Sequence, residues 1–178
     1  MDFAHLIDTH ITHMKKVITG KFSNSDQIVG SGRMELFRNT QDLTRAISNL
    51  FNSTVMGQRF QTVWEAYIDN MQIYIDAVFN DKEMLNDFGD DKSYRDSRNT
   101  MRKLRKNSGD IIGFFAHYLN NRDTFKTHWT LFMQRLKDSV MDGARVSYRK
   151  GSKAQFRKGV RDSRVHGKAF GEIINRFR

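Results

Sequence analysis

The chain contains no cysteine and no proline among its 178 residues. Without cysteine there can be no disulfide framework, thiolate metal site or thiol nucleophile. Proline usually makes up about 5% of a protein and breaks helix interiors, so its complete absence suits a chain that is helix almost throughout. Long apolar runs are missing too. No stretch approaches the roughly 18 to 20 apolar residues that cross a bilayer. The first 21 residues interrupt their apolar positions with Asp2, His5, Asp8, His10 and His13, a helix pattern and not a signal peptide. An intracellular or virion-associated location is therefore expected. Enzyme signatures are equally scarce: there is no Gly-x-Ser-x-Gly elbow, no Gly-Lys-Ser/Thr phosphate loop and no carboxylate pair spaced for acid–base work. The expectation is a protein that is not an enzyme and uses no cofactor.

What is present is globular. Hydrophobic residues make up 38% of the chain and aromatic residues 12%, too much for general disorder and enough for one core. Apolar residues recur at helical spacing. Phe3, Leu6, Ile7, Ile11, Met14, Val17 and Ile18 mark a first helix that Gly20 stops. Residues 21–32, rich in Asn, Ser and Gly, read as a loop. A second helix follows over 33–51 with Leu36, Phe37, Leu43 and Ile47 inward, and Thr40 looks like a fresh N-cap within it. Phe60, Val63, Trp64, Tyr67, Met71, Tyr74, Ile75 and Val78 define a third over 57–79. A short turn at 84–88, a basic amphipathic helix over 93–107, an apolar helix over 111–119 and a last long helix from Arg122 to Gly143 complete the pattern. No strand-type alternation competes with these. The fold expected is all-α, a single-domain bundle of five to seven helices.

The net charge of +10 is unevenly placed. Residues 143–178 hold eleven Lys and Arg against Asp162 and Glu172, a net +9, and the other 142 residues sum to +1. That distribution marks an interaction segment. Five glycines punctuate it (Gly143, Gly151, Gly159, Gly167, Gly171), each weakening a helix by about 1 kcal/mol. The segment therefore reads as a partly flexible basic arm beyond a bundle of residues 1–142. It should end in a short amphipathic helix whose Phe170, Ile173, Ile174 and Phe177 dock on a partner or on the bundle itself.

Within the arm, Arg145, Arg149, Lys150, Lys153, Arg157, Lys158, Arg161, Arg164 and Lys168 offer phosphate contacts, and Tyr148 and Phe156 offer rings for base stacking. Arg95, Arg98, Arg102 and Lys106, on the polar side of the 93–107 helix with Arg105, could extend the same surface. DNA or RNA is thus the expected partner, bound without base readout because no helix-turn-helix or zinc-finger pattern is present. A second possibility is an assembly protein of viral type, whose arm reaches packaged nucleic acid or a neighbouring subunit in an oligomer. Membrane binding fits less well, since the terminal apolar stripe is short.

Three motifs invite more specific chemistry. His5, His10 and His13 share one helix, but on a helical wheel His10 falls inside the apolar stripe and His5 opposite it, so a core histidine is expected and no metal site. Gly30-Ser31-Gly32-Arg33 fits a capped loop better than a phosphate cradle. Arg122-Asp123-Thr124-Phe125-Lys126-Thr127-His128 resembles the arginine-to-histidine string of the HEPN helical ribonuclease superfamily. Arg161-Asp162-Ser163-Arg164-Val165-His166 fits the same loose pattern. The resemblance implies metal-independent RNA cleavage, with Arg122 on the phosphate and His128 moving a proton.

Overall fold

The computed structural model describes residues 2–80, 91–119, 122–148 and 150–176, with side chains described from residue 99 onward in the helix that begins at Asp91. Six helices account for nearly all of these: α1 Phe3–Phe22, α2 Asp26–Leu50, α3 Thr54–Asn80, α4 Asp91–Ala116, α5 Arg122–Ser147 and α6 Lys153–Asn175. The protein is an all-α single domain.

Local chemistry sets the helix ends. The Asp2 carboxylate accepts from the Ala4 and His5 amides, Ser25 caps α2 and Ser152 caps α6. The links after α1 and α2 each turn on an asparagine in the left-handed region, Asn24 at φ 53° and Asn52 at φ 47°. Asparagine tolerates that conformation better than most residues.

The helices pack by alternation. α1, α3 and α5 meet at the centre, with α2 against α1 and α3, α4 against α3 and α5, and α6 against α5 and α1. The centre is aromatic. Trp64 of α3 lies 5.9 Å from Trp129 of α5, His10 of α1 lies 5.1 Å from Trp64, and Phe170 of α6 lies 5.2 Å from Trp129. All four side chains are at most 1% exposed. Trp129 donates its indole N–H to Ser108 Oγ at 2.6 Å, tying α5 to α4.

Several local readings of the sequence give way to tertiary packing. Residues 26–32 belong to α2, not to a loop, because Gly32 packs its bare backbone against Val17 of α1. Thr40 is buried in mid-helix and returns its hydroxyl to the Leu36 carbonyl at 3.0 Å, so it caps nothing. Phe37, expected inward, is 56% exposed. The basic and apolar segments on either side of Gly109 form the single helix α4, with Gly109 on its exposed side. The turn expected at 84–88 lies outside the described residues. Gly143 does not end α5, since it sits buried against Ile18 and the helix runs on to Ser147.

The largest correction concerns the arm. Residues 153–175 are one helix of 23 residues, and it packs on α5 and α1 as part of the bundle. Gly159, Ser163, Gly167 and Gly171 recur every four residues and so fall on one face, where all four are buried. The missing side chains bring α6 close to its neighbours: Gly159 faces Ser139, and Gly167 faces Ile11 and Ile7. The intrinsic cost of helical glycine is offset by burial of Phe156, Val160, Phe170 and Ile174 beside them. Phe170 and Ile174 therefore dock on the chain's own core, Ile173 packs against it half-buried, and Phe177 lies outside the described residues.

Candidate polyanion interface

Burying the glycine face of α6 decides what its other face presents. Arg157, Arg161 and Lys168 fall within about 40° of one another around the helix, at 100° per residue, and span about 16 Å along it. Lys153 and Lys158 flank this row. All five are exposed, and none makes an ion pair among the described residues. The remaining cation of the helix behaves differently. Arg164 lies 3.4 Å from Asp8 and donates to Thr12 Oγ1 at 2.7 Å, fastening α6 to α1.

Of these five cations, Lys158 also faces α5, which runs antiparallel to α6. A groove of about 370 Å³ between them is lined by Arg135, Arg145 and Lys158, interleaved with Asp138, Asp142 and Asp162. Arg145 pairs with Asp142 at 3.3 Å, and Arg135 reaches Asp138 at 3.5 Å. On the other side of α5, Lys137 sits half-buried beside Arg105 of α4. Burial first, and then the Arg105 charge, hold its ammonium below the usual lysine range, against a smaller pull from Asp138. Arg102 and Lys106 stand exposed on the same helix, with Lys106 3.1 Å from Asp110. On α5 and α4, then, Arg135, Arg145 and Lys106 are each paired with an acid of their own helix, unlike the five cations of α6.

Of the two rings expected to stack on bases, Phe156 is buried and Tyr148 is half-buried. Phe156 is 3% exposed, in edge contact with Phe22 at 5.3 Å. Tyr148 donates its hydroxyl to the Phe79 carbonyl. Lys150 is exposed beyond the end of α5, Arg149 lies outside the described residues, and so do the side chains of Arg95 and Arg98. Arg135 and Lys137 were missed from sequence because neighbouring acids cancel their charge there.

The histidines divide as the helical wheel implied. His10 is buried with Nε2 3.3 Å from the Tyr67 hydroxyl, His13 lies 3.0 Å from Glu35, and His5 is exposed. Ser31 accepts from Lys16 at 2.9 Å in mid-helix, so the glycine-flanked segment around it is neither a loop nor a phosphate cradle. Of the two arginine–histidine strings, the structure brings the histidines together: His128 Nδ1 and His166 Nδ1 are 3.4 Å apart. Arg122 opens α5, about 9 Å of helix rise before His128.

Comparison with protein-family models, with curated proteins and with solved structures finds no match to this chain. Among the described residues, no helix is long and apolar enough to cross a membrane.

Proposed function

We propose that this protein binds nucleic acid through its phosphates, without reading base sequence, along the outer face of α6 and across α5 towards α4. The observation that carries the reading is the row of Lys153, Arg157, Lys158, Arg161 and Lys168 on a helix locked into the bundle, with no carboxylate partner for any of them among the described residues. Like charges held side by side repel, and a polyanion relieves that repulsion while releasing its own counterions. Crowding of Lys137 against Arg105 extends the same logic to the α4–α5 seam. With Phe156 buried and Tyr148 half-buried, the surface offers mainly charge, which favours sequence-independent binding.

The test is substitution of Arg157, Arg161 and Lys168 by glutamine, singly and together. Each lost phosphate contact should lower the salt slope of duplex binding by about 0.9, with far-ultraviolet circular dichroism unchanged. Unaltered affinity in the triple variant would place binding elsewhere.

A role in assembly rests on a separate observation. Met34 and Phe37 of α2 are 58% and 56% exposed, an apolar pair one turn apart. If they meet a second copy, sedimentation will show concentration-dependent oligomers that Phe37→Ser abolishes.

A further inference from the structure

His128 and His166 face each other across the α5–α6 seam, half-buried, with ring centroids 5.7 Å apart and planes inclined by 36°. Their Nδ1 atoms are 3.4 Å apart. Hydrogen bonds to nitrogen donors cluster near about 2.9–3.0 Å, so the pair is wide for one held by a hydrogen bond alone. The same separation is the edge of a tetrahedron. Two imidazole nitrogens at about 2.0–2.1 Å from a zinc ion stand about 3.3–3.4 Å apart across the tetrahedral angle.

We propose that His128 and His166 are paired ligands for a divalent transition-metal ion of the zinc class, bridging α5 and α6. The backbone on both sides of the pair is fixed. Trp129, next to His128, is fully buried, and Gly167, next to His166, is buried against Ile11, Ile7 and Phe132. The ligand spacing is therefore set by helix packing before any ion arrives. Neutral imidazole is the ligating form. Imidazole donors select zinc, copper or nickel over magnesium or calcium.

Besides burial and His128 itself, two charged groups act on His166 from the two helices. Arg135 of α5 opposes a cation, and Asp162, one turn earlier on α6, favours it. No group of three or more His, Asp or Glu that could hold a metal exists among the described residues. The ion therefore has two protein ligands, and water or a small anion fills its remaining positions. Such a site is open and weaker than a structural zinc site. It does not depend on the nucleic-acid reading, since no residue of the α6 row takes part.

The experiment is zinc titration of the untagged full-length protein by calorimetry, with His128→Gln and His166→Gln as variants. Wild type should bind one zinc per chain with a rise in melting temperature, and each variant should lose at least tenfold in affinity. Imidazole nitrogen spectra of wild type give a readout that needs no variant: the two resonances of His128 and His166 should shift with zinc, and the others should not. Absence of zinc binding by wild type overturns the proposal. So does binding that survives both substitutions, or shifts centred on His5, His13 or His117.

Discussion

Gly171 of α6 approaches Ala4 of α1 so closely that a Cβ added to the glycine would lie 2.6 Å from the Ala4 Cα and 3.0 Å from its amide nitrogen. Both obstacles are backbone, which cannot rotate away. The C-terminal helix is thus fitted to the N-terminal one at the level of the main chain, and the Asn175 carboxamide completes the join by accepting from the Phe3 amide at 2.8 Å.

That contact gives opposite signs to one substitution at different glycines. Gly171→Ala should destabilise the fold by about 1–3 kcal/mol through overpacking, despite a gain in helix propensity. Gly109→Ala and Gly113→Ala in α4 meet nothing within 4 Å and should stabilise it by roughly 0.5–1 kcal/mol. Urea unfolding of the three variants decides the matter. Equal effects at all three would mean that the close approach of α6 to α1 is not real.

Acid should weaken the protein through His10. Its folded pKa is pushed down to about 3, first by burial and then by the charge of His13, while an unfolded histidine titrates near its ordinary 6.5. Over that interval the unfolded chain takes up a proton that the folded chain refuses, so stability falls as pH falls. The slope approaches about 1.4 kcal/mol per pH unit below pH 6.5. His13 and His166, also lowered by burial, act in the same direction. Denaturant midpoints between pH 7 and 5 should show a flatter slope in His10→Gln, although that variant is less stable overall. Equal slopes would mean that His10 is charged or exposed in the folded state.

If the proposed interface reaches the α4–α5 seam, Lys137 should couple stability to binding. Replacing it with glutamine removes a half-buried cation from beside Arg105, so the melting temperature should rise while affinity for duplex DNA falls. If the melting temperature drops and affinity holds, the ammonium is stabilised by carboxylates and lies outside the interface.

Much of the bundle was legible as apolar periodicity, because the stripe of α3 from Phe60 to Val78 and that of α5 from Phe125 to Val140 need no partner to be recognised. The misread extent of the C-terminal helix has one cause. Gly159, Gly167 and Gly171 are helix breakers by local propensity, and only the presence of Ser139, Ile11 and Ala4 opposite them turns that deficit into a packing face. Their recurrence with Ser163 at four-residue intervals was visible in the sequence and is the signal that would have found α6. Charge on α6 could be read directly, since few acids accompany it. The cations of α5 could not: Arg135 and Lys137 adjoin Asp138, and only the fold sets them beside the α6 row and Arg105. Phe156 looks like a stacking ring in sequence because its partner, Phe22, comes into contact only when α6 folds back.

The most direct test of a phosphate-binding surface is the salt dependence of duplex DNA affinity for the wild-type chain. Five phosphate contacts from the α6 row give a plot of log binding constant against log salt with a slope of roughly −4 to −5, the same for unrelated sequences of equal length. Failure to bind at low ionic strength, or a slope close to zero, would contradict the account.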